Sequence, residues 1–192
     1  GTYTARAVFI NPDTHNYVTP ADVTAEWKIS KKFVDMSQVH WDYEGPFSYD
    51  GEAKAVSLKG LPHGIGVDYE NFMAFDAGEY NARAILRYDE DNLDVEWPAD
   101  CQWRINKKKI DVSGVYWDYS DAFTYTGTQH SVHLAGVPEG VTVEYTDNVK
   151  TETGTYIASA TLTPVDAGNY EVPEVNGCTW TIRKAEYEVG IS

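Results

Sequence analysis

At 192 residues the chain has length for one or two ordinary domains, and 42% hydrophobic residues are enough to build a core. Thirty acidic against 15 basic side chains leave a net charge of -15, which repels phosphate backbones and anionic headgroups and argues against nucleic acid or direct membrane contact. No run approaches the roughly 18 to 20 apolar residues of a spanning helix, and none has the layout of a secretory leader.

Residues 1–9, GTYTARAVF, alternate strictly, so Tyr3, Ala5, Ala7 and Phe9 share one strand face and Thr4 and Arg6 the other. A second alternating strand follows around Trp27, ahead of Lys31. From residue 34 to 75 the sequence then maps without a gap onto 110 to 151 at a constant offset of 76. Trp41 pairs with Trp117, Tyr49 with Tyr125 and Tyr69 with Tyr145. Within this stretch KAVSL (54–58) and HSVHL (130–134) read as strands with Val and Leu on one face. GLPHG (60–64) and GVPEG (136–140) read as turns, because Pro fixes φ and Gly permits positive φ. The opening phrase returns as GEYNARAIL at 78–86 and GTYIASATL at 154–162, bringing Tyr80 and Tyr156 into the position of Tyr3. The closing strand returns around Trp103 and Trp180, ahead of Lys107 and Lys184.

The chain therefore divides into the C-terminal half of a repeat (1–32), two full repeats (33–109 and 110–185) and the start of a further one (186–192). About six strands per repeat, punctuated by Gly and Pro with no helical period, predict an all-β chain of tandem, small, β-sandwich-like (Ig-like) modules with minimal helix. The paired alanines of the inward strand leave room for bulky neighbours. The recurring rings supply them: Tyr3, Tyr80 and Tyr156; Trp27, Trp103 and Trp180; Trp41 and Trp117; Tyr49 and Tyr125; Tyr69 and Tyr145 form the predicted repeat core. The join at 107–111 has no Gly, Ser or Pro spacer, which predicts a stiff end-to-end array.

The chemistry-bearing residues point away from catalysis. Cys101 and Cys178 fall at the same place in successive repeats, too far apart for a bridge, and are expected as buried free thiols. His130 and His133, three apart on a strand, face opposite ways and make a poor metal pair. The acidic run 89–92 is not kept at its counterpart and reads as a solvated loop. No nucleophile–base–acid set and no phosphate cradle recurs, so no cofactor, metal or catalytic residue is expected. Asn16, Asn92 and Asn169 recur, which fits turn residues tolerating left-handed backbone; the lysines at 31, 107 and 184 are expected to end in water. Positions where the repeats disagree mark a candidate contact surface: Phe72, Met73 and Phe75 stand where the next repeat has Asn148, Val149 and Thr151, and Trp97 stands for Val172. Trp41 and Tyr43, with Trp117 and Tyr119, could offer rings to a sugar, although their recurrence favours packing.

Several of these elements together resemble a known family: YDG (49–51), GLPHGIGVDY (60–69), AGEYNA (77–82), NYEVP (169–173) and WTIRK (180–184) are similar to the MBG-type, Ig-like tandem repeats of large bacterial surface proteins. The resemblance implies an extracellular, cell-surface location, with signal and anchor outside this segment, and a non-catalytic role as stalk, spacer or adhesion scaffold. It implies neighbouring repeats as partners. The alternative is a module that binds a carbohydrate or a host protein through exposed aromatics.

Overall fold

The computed structural model describes residues 1–187, and every regular element among them is a strand. The N-terminal hairpin is β1 (Thr2–Ala7) and β2 (Val23–Lys28), antiparallel with Tyr3 opposite Trp27. The first full repeat carries β3 (Lys32–Val34), β4 (His40–Trp41), β5 (Phe47–Ser48), β6 (Lys54–Ala55), β7 (Leu58–Lys59), β8 (Gly66–Glu70), β9 (Met73–Ala74), β10 (Gly78–Arg87), β11 (Leu93–Val95) and β12 (Cys101–Asn106). The second, with its first strand just ahead of residue 110, carries β13 (Lys108–Lys109), β14 (Tyr116–Trp117), β15 (Phe123–Thr124), β16 (His130–Ser131), β17 (Leu134–Ala135), β18 (Val141–Thr146), β19 (Val149–Lys150), β20 (Gly154–Pro164), β21 (Tyr170–Glu171) and β22 (Cys178–Arg183).

The sequence repeat is a repeat of topology. A four-stranded sheet of order β5-β12-β10-β8 in the first repeat matches β15-β22-β20-β18 in the second. The two-stranded pieces β4-β7, β6-β9 and β11-β3 match β14-β17, β16-β19 and β13-β21. The result is an all-β, sandwich-like fold. Each repeat holds ten strand pieces rather than the six expected, one reason being that KAVSL is not one strand. Lys54 and Ala55 pair with β9, whereas Leu58 and Lys59 pair with β4. Val56, between the two partners, is 1% exposed.

By compactness the chain falls into two units whose limits do not follow the repeats. One comprises Gly1–Asp42, Ser57–Glu70 and Ala82–Cys101; the other comprises Tyr43–Val56, Asn71–Asn81 and Gln102 onward. The first unit centres on Leu58, Ile65, Ala84, Leu86 and Val95, with Trp41 and Tyr69 packed against them. The second centres on Val132, Ala158, Trp180 and Ile182, with Trp117, Tyr119, Phe123 and Tyr156 around them. Ala158 is fully buried under this cluster, so a larger residue there would displace the Trp180 ring.

The recurring aromatics use their polar tips as well as their rings. Tyr69 and Tyr145 hydroxyls each accept the amide of Leu58 or Leu134 at 2.9 Å. Tyr43 accepts the Arg104 amide and Tyr119 the Thr181 amide. Trp41 and Trp117 indoles donate to Ala99 and Asn176 carbonyls at 2.8 Å. Half-buried and hydrogen-bonded at their polar tips, these six rings brace the backbone. The recurrent turn glycines have a steric cause: a Cβ on Gly60 or Gly136, both at positive φ, would stand 2.2 Å from a backbone oxygen.

Candidate functional site: a polar joint and an open hairpin face

The strongest constellation within the second compact unit lies where the first full repeat ends and the next begins. It starts from a local turn, Asp166 to Asn169, in which the Asp166 carboxylate accepts the Asn169 amide at 3.2 Å and its side-chain nitrogen at 3.1 Å. Such an Asx-type turn fixes the asparagine side chain before it meets anything else. Asn169 Nδ2 then donates to the Asp76 carboxylate at 3.1 Å, and its Oδ1 accepts the Ala77 amide at 2.7 Å. One side chain thus joins residues more than 90 positions apart, and its donors and acceptor are all used. At 9% exposure Asn169 is the one buried polar residue among the described residues.

Other contacts surround it. Lys107 Nζ donates to the Ala167 carbonyl at 2.5 Å. The Lys108 amide donates to Asn169 O and the Ile110 amide to Glu171 O, both at 2.9 Å, so β13 runs parallel to β21. Tyr49 meets Tyr170 edge to face at 5.4 Å. Burial first, then the negative charge of Tyr170, Asp166, Asp76 and Asp50, pushes the Tyr49 phenol up. Tyr80 closes the other side by donating to the Asp76 carbonyl at 2.7 Å, and Tyr156 does the same to Glu152. The Gly-x-Tyr spacing follows from this: a Cβ on Gly154 would lie 3.0 Å from the Tyr156 hydroxyl, so the ring needs a glycine beneath it.

Two expectations change here. The recurring asparagines do not supply left-handed backbone; among the described residues the non-glycine positions with positive φ are Asn71 and Asp147. What recurs is an Asp-x-x-Asn pair. Asn16 donates to Asp13 at 2.8 Å and Asn92 to Asp89 at 2.9 Å, and both bonds hold the aspartates below the usual carboxylate range. The recurring lysines do not simply end in water either. Lys31 donates to the Glu90 carbonyl as Lys107 does to Ala167. The signal available in the sequence was the conserved three-residue spacing of Asp and Asn, present three times.

The second feature is the hairpin at 1–32. In the full repeats Trp103 is 2% and Trp180 0% exposed, with Phe47 or Phe123 set edge-on to the indole at 6.1 or 5.9 Å. Trp27 and Tyr3 stack on each other at 5.8 Å but stand 49% and 46% exposed, joined by Phe9, Val23 and Ile29. Tyr3 and Trp27 are therefore exposed where a core position was expected. Tyr125 is also exposed, at 37%, while its counterpart Tyr49 lies in the joint.

The predicted contact residues do not form one patch. Phe72, half-buried, and Met73 and Phe75, exposed, belong to the second compact unit. Trp97, exposed, belongs to the first, where it lines a cleft of about 240 Å³ with Phe33, Met36, Val39 and Pro98. Cys101 is buried but Cys178 only half-buried, neither is in a disulfide among the described residues, and burial pushes both thiols up. His130 stacks on Phe123 at 4.9 Å and His133 meets Tyr145 edge-on at 5.3 Å, so both pack against core rings. The start of a further repeat, expected at 186–192, falls mainly on 188–192, outside the described residues. No protein-family model, curated protein or solved structure matches the chain.

Proposed function

We propose that the chain is a run of tandem modules of the MBG type from a bacterial surface protein, serving outside the cell as a non-catalytic stalk, spacer or adhesion scaffold. The observation that carries this reading is the joint at Asn169. A buried side chain with every hydrogen-bonding atom engaged, a short parallel ladder and an edge-to-face tyrosine pair tie the end of one repeat to the next with no flexible spacer. Such a connection resists bending, which is the property a spacer needs. The net charge of -15 keeps modules soluble and discourages side-by-side association.

Backbone ¹⁵N relaxation on the intact chain tests the reading. Amides of 110–185 and of 43–56 should report one rotational correlation time, and Asn169→Ala should separate them. Independent tumbling in the unmodified chain would remove the spacer role.

A second reading has its own support in the cleft beside Trp97, where exposed Trp97 and Phe33 rings, at 47% and 63%, could stack on a glycan or take an apolar side chain of a host protein. Glycan-array binding lost in Trp97→Ala would favour it over the spacer.

A further inference from the structure

The open face of the β1–β2 hairpin has two filled counterparts in the same chain, and they state what fits it. Ile29 occupies the place of Ile105 and Ile182. In both full repeats that isoleucine pairs in parallel with a phenylalanine strand, Phe47 with Ile105 and Phe123 with Ile182. The same phenylalanine covers the closing indole, and the tyrosine four residues before it accepts the amide just after the tryptophan. In the second repeat the buried Val132 completes the cover of Trp180, and its counterpart Val56 is likewise buried. On the hairpin's other edge, the counterparts of Arg6 and Ala7 pair with β8 and β18. All of these groups come from the first half of a repeat.

We infer that β1–β2 is an acceptor for the first half of a repeat, a segment of the 33–77 kind joined in tandem ahead of Gly1. The donor inserts its phenylalanine strand beside Ile29, sets that ring on Trp27 and places its tyrosine hydroxyl on the Lys28 amide. Tyr3 favours a tandem donor over one supplied by a separate molecule. In both complete copies the Gly-x-Tyr hydroxyl donates to a carbonyl two residues before the glycine, and Tyr3 already curls back over Gly1, its hydroxyl 3.4 Å from where a Cβ on Gly1 would stand. The ring is thus placed for a carbonyl in the segment preceding Gly1. A tethered donor also acts at a far higher effective concentration than a free one. The inference rests on the duplicated fold and is independent of the spacer role.

The test extends the intact chain with a second copy of residues 33–77, Ala77 joined to Gly1 as it is to Gly78. Hydrogen-exchange mass spectrometry should show amides of 2–7 and 23–28 slowed on the order of tenfold or more, and acrylamide quenching of Trp27, read against Trp27→Phe, should fall. Phe47→Ser and Val56→Asp made only in the added copy should abolish both effects while the rest of the chain stays protected. Unchanged exchange in the hairpin would overturn the proposal. So would equal protection from a free 33–77 peptide, which assigns a donor in trans, or concentration-dependent protection of the unextended chain with dimer by light scattering, which assigns a second copy.

Discussion

The hairpin at 1–32 and its copy at 154–183 have the same strand pattern and the same antiparallel tyrosine–tryptophan pair, yet one tryptophan is half exposed and the other fully buried. The difference lies in neither strand. It lies in Trp117, Tyr119, Phe123 and Val132, which pack on the copy, whereas among the described residues Tyr3 and Trp27 of the hairpin stand about half exposed. Core membership in a repeat is therefore a property of the pair of halves: the alternation of a strand specifies which face is apolar, and the other half decides whether that face is dry.

The largest expected effect breaks the comparison at its centre. Trp180→Ala should destabilise by about 3 to 5 kcal/mol, whereas Trp27→Ala, at the equivalent but uncovered place, should cost under about 1 kcal/mol; denaturant unfolding of the intact chain measures both. Equal costs would mean that the hairpin is covered in solution. Next comes the joint. Asn169→Ala leaves the Ala77 amide without its acceptor and should cost about 1 to 3 kcal/mol, while Asn92→Ala, at an exposed turn, should stay within about 0.5 kcal/mol. The two buried indoles differ in a smaller way: Trp103 donates to the Asn71 carbonyl at 3.1 Å, whereas Trp180 Nε1 has no partner among the described residues. Trp103→Phe should therefore lose about 1 kcal/mol more than Trp180→Phe in the same unfolding experiment.

The smallest effect is in pH. The Tyr49 phenol is raised in the folded chain, so the folded state holds that proton more tightly than the unfolded one. Its contribution to stability is complete below the ordinary tyrosine range and is lost as pH rises through the raised folded value, because a phenolate there is desolvated and faces Tyr170, Asp166 and Asp76. Ultraviolet titration should place Tyr49, identified with Tyr49→Phe, late among the tyrosines, and thermal unfolding of Tyr49→Phe should lose less stability above that range than the unmodified chain.

Much of the fold was legible in the sequence because repetition doubles every periodic signal. The alternation of GTYIASATL marks a strand, and Trp103 and Trp180 read as core from recurrence together with small inward alanines. The short bridges were not legible: KAVSL alternates like one strand, and only tertiary pairing reveals that it changes partner at Val56. Asn169 was visible as a recurring residue, but the groups that give it a role, Asp76 and Ala77, lie more than 90 positions away and carry no local pattern. Lys107 was misplaced for the same reason, since its acceptor is a carbonyl, which no side-chain identity encodes. Tyr3 and Trp27 were placed in a core because their own strands match those of the buried copies; what uncovers them is the other half of the repeat, which strand periodicity does not report.

The central claim, that Asn169 locks one repeat onto the next, is tested most directly by the hydrogen exchange of a single amide, that of Ala77. It donates to a side chain and lies outside the strands, so its protection reports the joint. In the intact chain it should exchange at least about a hundredfold more slowly than an unstructured amide, and Asn169→Ala should return it to near that rate while Ala158 stays protected. An Ala77 amide that exchanges freely in the unmodified chain would contradict the account.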